Sequence, residues 1–157
     1  MITDAGKPNG VQVSPDQKTL YVLAHDNGSN EVFLGEGIKF QKGLMACLAY
    51  DLSPEGTVSN RRMLIDYLPN DGGDGMTGDV DGNLYIAVRS EAAPGVHIYT
   101  PQGKELVYIS TGKELPTNVA FGYGDDGNLL YLTSGKSLYS IRLAKKGYRL
   151  PPAKATQ

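Results

Sequence analysis

One pattern recurs three times in this 157-residue chain, and no other feature restricts its fold as strongly. PNGVQVSPDQKTLYV, from Pro8 to Val22, is echoed by DGMTGDVDGNLYIAV from Asp74 to Val88 and by PTNVAFGYGDDGNLLYLTS from Pro116 to Ser134. Each copy opens with a polar residue, alternates apolar and polar positions, passes through an Asp/Gly/Asn-rich turn and ends in a segment containing Leu-Tyr. Alternation of period two bounded by such turns predicts a β-hairpin, so the chain predicts one hairpin three times.

A further hairpin follows each of the first two copies. LMACLAYDLS and NRRMLIDYL flank the turn at Pro54-Glu55-Gly56, after an insertion-like stretch from Ala24 to Gly43; GVHIYT and KELVYIST flank Pro101-Gln102-Gly103. The third copy continues only into KSLYSIRL, and its fourth strand is missing or supplied from elsewhere. Four-stranded repeats of about 40–50 residues are the signature of propeller blades, which bury their faces against neighbouring blades. The expected fold is therefore all-β, a propeller of the six-bladed type with about three four-stranded blades, at residues 8–67, 74–111 and 116–149. Residues 1–150 form this half propeller and 151–157 a polar tail. Three blades do not close a ring, which leaves a fragment of a longer protein, a homodimer completing the ring, or a half propeller with its own capping.

Composition narrows the function. Twenty Gly and nine Pro supply turns, and the net charge of −2, with no basic cluster beyond Lys145 and Lys146, recruits neither nucleic acid nor anionic lipid. Cys47 is the only cysteine, so neither an internal disulfide nor a cysteine-based zinc cluster forms within the chain. MITDAGKPNG lacks the basic and apolar regions of a secretion signal. The expected compartment is the cytoplasm, or the periplasm or exterior if a preceding segment has been lost. There is no Ser-His-Asp order with a nucleophile elbow, no Gly-rich phosphate loop and no His-x-x-x-His pair.

PNGVQVSPDQKTLYV, VSNRRMLIDYL, DGMTGDVDGNLYIAV, PTNVAFG and TSGKSLYSIRL, in this order, resemble the C-terminal half of the gluconolactonases and the related senescence marker protein, regucalcin, from Lys7 to about Tyr148. The resemblance implies a six-bladed propeller with one divalent metal at the mouth of its channel. It also implies Asn9, from Pro-Asn-Gly, and Asp74, from Asp-Gly-Met, as metal ligands, with Asp74 the candidate catalytic base. The remaining protein ligand it implies is a Glu near the start of a full-length chain, in the half that these segments do not cover.

The residues support the same chemistry independently. Asn9, Asp74 and Asn118 each begin the innermost strand of a repeat, which aims all three at one end of a shared axis. Carboxylate and amide oxygens converging there suit a hard cation: calcium first, with magnesium, zinc or manganese as alternatives. Such a cation polarises a lactone carbonyl, and a neighbouring carboxylate takes a proton from the attacking water. Asn118 and His25, which follows the second strand of the first repeat, are the candidate substrate-binding residues. The structural alternatives are a turn role for Asn9 and Asp74, a blade-bridging role for Asn118 and solvent exposure for His25.

His97 falls in an outer strand and reads as structural or surface. Asp79, Asp81, Asp125 and Asp126 read as turn residues, and Asn60-Arg61-Arg62 as solvated surface. Arg89, at the end of a second strand, either approaches the pocket or forms an exposed ion pair. The expected function is metal-dependent hydrolysis of a sugar lactone; the alternatives are a non-catalytic binding or assembly module, and another ester or lactone chemistry on the same scaffold. The expected partners are a small sugar lactone and either a second copy or a missing N-terminal half, with no nucleic acid and no membrane.

Overall fold

A computed structural model describes residues 1–28 and 42–150. Its strands are β1 (Pro8–Val13), β2 (Thr19–His25), β3 (Met45–Leu52), β4 (Val58–Asp66), β5 (Gly73–Gly78), β6 (Leu84–Val88), β7 (Gly95–Tyr99), β8 (Glu105–Ser110), β9 (Pro116–Phe121), β10 (Leu129–Ser134) and β11 (Ser137–Arg142). They form three antiparallel meanders, β1-β2-β3-β4, β5-β6-β7-β8 and β9-β10-β11. Each is a blade, and the three repeated hairpins supply the two inner strands of each. Among the described residues the only helix is one 3₁₀ turn at Gly124–Asp126.

Alternation decides which neighbour each strand face meets. In blade 1, Tyr21, Leu23, Cys47 and Ala49 face blade 2, where they pack on Met76, Leu84, Ile86, Val88 and Tyr99. The opposite face of blade 2, with Tyr85, Ala87, Val96 and Ile98, packs on Val119, Phe121, Leu130 and Leu132 of blade 3. Middle strands are thus apolar on both faces: every residue of β6 and β7 is buried, including His97. The outer strands β4 and β8 are mainly exposed, which explains their polar and charged residues.

The two end faces differ. Val22, Ala24, Ala46, Leu48 and Tyr50, on the side of blade 1 away from blade 2, are covered in part by Ala5 and Ile2 of the N-terminal segment. On the outward side of blade 3, Tyr131 and Leu138 remain exposed.

Blade 3 has three strands rather than four. After β11 the chain crosses back to blade 2: Val80 N donates to Lys146 O at 3.0 Å and Tyr148 N to Gly78 O at 2.8 Å. Asp79 and Gly147 form an antiparallel bridge. Residues 143–150 therefore act as a strap under blades 2 and 3 instead of a fourth strand. The insertion-like stretch begins within β2, and its residues 29–41, like the tail 151–157, lie outside the described residues.

Burial also sets an alkaline limit on stability. Desolvation pushes the Cys47 thiol from 9.0 up to about 12; Tyr67, Tyr85 and Tyr99 are likewise raised, chiefly by burial. Above pH 9 the unfolded chain releases protons that the folded chain still holds, so stability falls as pH rises towards 12. A loss of roughly 1–3 kcal/mol between pH 8.5 and 11 is expected from the thiol alone. Urea unfolding at several pH values measures it, and a midpoint constant to pH 11 contradicts it.

Candidate metal and catalytic site

The inner strands β1, β5 and β9 begin at the same end of the three blades, and glycines let them approach closely. A Cβ on Gly10 would lie 2.7 Å from the Asp74 carbonyl oxygen, and one on Gly75 only 2.1 Å from Asn118 Oδ1. The glycines in Asn9-Gly10 and Asp74-Gly75 are thus the physical condition for bringing neighbouring blades' side chains together.

Asn9 Nδ2 donates to Asp74 Oδ1 at 2.6 Å, linking blade 1 to blade 2 across 65 positions of sequence. Arg89 Nη1 holds the other carboxylate oxygen, Oδ2, at 3.3 Å, and lies 3.5 Å from the Pro116 carbonyl oxygen of blade 3. The Asp74 and Arg89 side chains are 22% and 29% exposed, sheltered yet open to solvent. Asp74 is therefore fixed by an amide on one oxygen and a guanidinium on the other.

Asn118 Oδ1 lies against Gly75 and accepts from Val119 N at 2.9 Å. Asn118 also lines a hollow of about 90 Å³ with Tyr131 and Leu138 on the outward face of blade 3. His25 Nδ1 lies 3.1 Å from the Gly73 carbonyl oxygen. As a hydrogen bond this requires the proton on Nδ1, leaving Nε2 as the basic nitrogen. The structure thus places Asn9 directly on Asp74, and Asn118 and His25 beside its immediate neighbours Gly75 and Gly73.

Arg89 is the residue that sequence reasoning left off the candidate set. Its signal was the register of the second hairpin: Gly73 pairs with Val88, so residue 89 falls beside Gly72 and diagonal to Asp74, and Arg89 N donates to Gly72 O at 2.9 Å. The two readings of Arg89, pocket and ion pair, coincide. A wide cleft of about 930 Å³ at the other end of blade 1, ringed by Val13, Asp16, Lys18 and Asp51, contains none of these residues.

The other residues singled out by sequence have structural partners. Asn60 Nδ2 and Arg62 Nη1 both donate to the Asp51 carboxylate, at 2.8 and 2.6 Å, and these bonds, Asn60 first, lower its pKa. His97 Nε2 lies 3.0 Å from the Ala93 carbonyl oxygen, and its ring packs on Tyr99 and Tyr108.

The donors at the inner-strand ends fit a hard divalent cation in kind, namely one carboxylate and two amide oxygens, with Asn9 able to present Oδ1 by turning its amide. Among the described residues no three His, Cys, Asp or Glu side chains gather into a metal cluster. The chain's own donors amount to roughly half of the six to eight oxygens calcium takes.

The architecture and sequence have known counterparts. A gluconolactonase of Zymomonas mobilis is 28% identical over 144 residues, covering 87% of this chain and 35% of its own. A solved protein assigned to the gluconolactonases superposes with TM-score 0.70 at 28% identity, over 95% of this chain and 43% of that one. The calcium-binding protein regucalcin of Agrobacterium tumefaciens superposes with TM-score 0.60 at 21% identity, over 89% and 46%. The chain thus spans about a third to a half of the length of these proteins. The model of the SMP-30/gluconolactonase/LRE-like region matches residues 1–136, and the chain belongs to that family.

Proposed function

We propose that Asn9 and Asp74 form the nucleus of a site that hydrolyses a sugar lactone of the gluconolactone kind to its aldonic acid, with a divalent cation, calcium foremost, as cofactor. The observation that carries this reading is the meeting of Asn9 and Asp74 from separate blades at 2.6 Å, in a chain whose family includes gluconolactonases.

Asp74, Asn9 and Asn118 would hold the cation, which would supply Lewis-acid polarisation of the lactone carbonyl. Asp74 accepts a proton from the attacking water as its oxygen bonds to the carbonyl carbon. The ring carbon–oxygen bond then breaks, and Asp74 returns the proton to the leaving ring oxygen, which becomes the hydroxyl of the open acid. Before a cation binds, Asn9 holds Asp74 in one rotamer at the place where the ion would sit. The Asn118 amide and His25 Nε2 serve as partners for sugar hydroxyls.

The test is acid release from aldonolactones by the purified protein in a pH-stat, with calcium, magnesium, manganese or zinc. Release above the spontaneous rate, removed by a chelator and restored by one of the ions, is expected. No release with any ion and lactone sinks the reading. The second reading, a non-catalytic module, is favoured by the exposed Tyr131 and Leu138 on the outward face of blade 3; it gains if cation binding survives the loss of Asp74.

A further inference from the structure

Asp74 is the carboxylate of the site, and it already has a cation. Oδ1 accepts from Asn9 and Oδ2 from Arg89, so a cation approaching Asp74 meets a donor hydrogen at either oxygen and, at Oδ2, a positive charge. The two partners respond differently. Asn9 turns its amide and becomes a ligand in place, because an amide carries an oxygen as well as a nitrogen. Arg89 has no acceptor atom and no accessible neutral form, so it only opposes a second cation.

We propose that Arg89 is the resident counter-ion of this site, competing with a divalent cation for Asp74 Oδ2 and thereby setting the affinity with which the site takes metal. This rests on the reading of Asp74 as a metal ligand. Charge makes the competition strong. Affinity for hard cations follows the number of anionic ligands, and with no cluster of acidic side chains among the described residues, the guanidinium cancels the charge that Asp74 brings. Geometry makes it reversible. The contacts of Nη1 are long, at 3.3 Å to Asp74 and 3.5 Å to Pro116 O, and the side chain is 29% exposed. Arg89 can therefore withdraw into solvent without breaking a buried network.

The sign of the effect separates this role from structural support. Calorimetric titration of the full chain with calcium chloride and with manganese chloride, at low ionic strength, compares wild type with Arg89→Gln, Arg89→Lys and Asp74→Asn, each checked for cooperative unfolding in a chelator. Arg89→Gln is expected to bind about tenfold more tightly, the scale set by removing a unit charge a few ångströms from a divalent ion in a largely hydrated setting. Arg89→Lys, which keeps the charge, stays within about twofold of wild type, and Asp74→Asn binds weakly or not at all. Binding that appears only in Arg89→Gln supports the proposal as well. Equal or weaker binding by Arg89→Gln, or no binding by either protein, overturns it. The readout is affinity rather than turnover: tightening in Arg89→Gln without lactone hydrolysis by any variant keeps the proposal and removes the hydrolase reading alone.

Discussion

Replacing Asp74 with alanine is expected to lower kcat/KM for lactone hydrolysis by about 10²–10⁴-fold, the range attached to a positioned general base. Divalent-cation binding should fall below detection in the same variant. The expectation follows from the two tasks proposed for this one residue, which is the carboxylate that Asn9 and Arg89 both hold, and among the described residues no acidic cluster stands in for it. Folding should be little affected, because the Asp74–Arg89 pair is partly solvated and such pairs contribute about 0–1 kcal/mol. Asp74→Asn refines the test. It keeps the shape and one oxygen donor while losing charge and basicity, so activity should remain near that of the alanine variant. If Asp74→Ala hydrolyses lactone at the wild-type rate, Asp74 is a strand-end hydrogen-bonding residue and nothing more.

The largest loss of stability should come from another aspartate, five residues further on. Asp79 is fully buried. Its Oδ1 accepts from Asp81 N at 3.0 Å and Asn83 N at 2.9 Å; its Oδ2 accepts from Asn83 Nδ2 at 2.8 Å and Tyr85 OH at 3.1 Å. These bonds close the β5–β6 turn and anchor Tyr85, whose ring meets Phe121 of blade 3 edge to face at 5.0 Å. Asp79→Ala removes a fully buried carboxylate from four donors, one buried and three part-buried, and is expected to cost about 3–5 kcal/mol, as breaking a buried charged network does. For a domain of this size that is a fall in Tm of about 10 °C. The control is Asp81→Ala in the same turn. Asp81 forms an exposed pair with Lys145, and its loss should change stability by no more than about 0.5 kcal/mol. Calorimetry of the two variants decides; equal melting temperatures contradict this account of the turn.

These two residues also show how far the sequence could be read. The alternation around Asp79-Val80-Asp81-Gly82 predicts a hairpin turn, and a turn is there. Nothing in that string distinguishes the aspartate sealed beneath the strap from the one in solvent, because the strap comes from residues 143–150 and its pairing with Gly78 and Val80 leaves no local pattern. The strands themselves were legible as short runs bounded by turn residues, although the middle ones are apolar on both faces, and the meeting of Asn9 with Asp74 followed from both residues opening inner strands. Arg89 was noted at a strand end but not placed in the candidate set, because its place depends on register across a hairpin rather than on a motif. The missing fourth strand of blade 3 was legible as an absence, whereas the route the chain takes instead was not.

The unequal end faces give the molecule a direction. A neighbour continuing the ring beyond blade 3 would meet a surface on which Tyr131 and Leu138 are exposed. One approaching blade 1 meets Ile2 and Ala5 already seated on the apolar face, and must lift that segment away first. Among the described residues the stack of blades is therefore capped at one end and uncapped at the other.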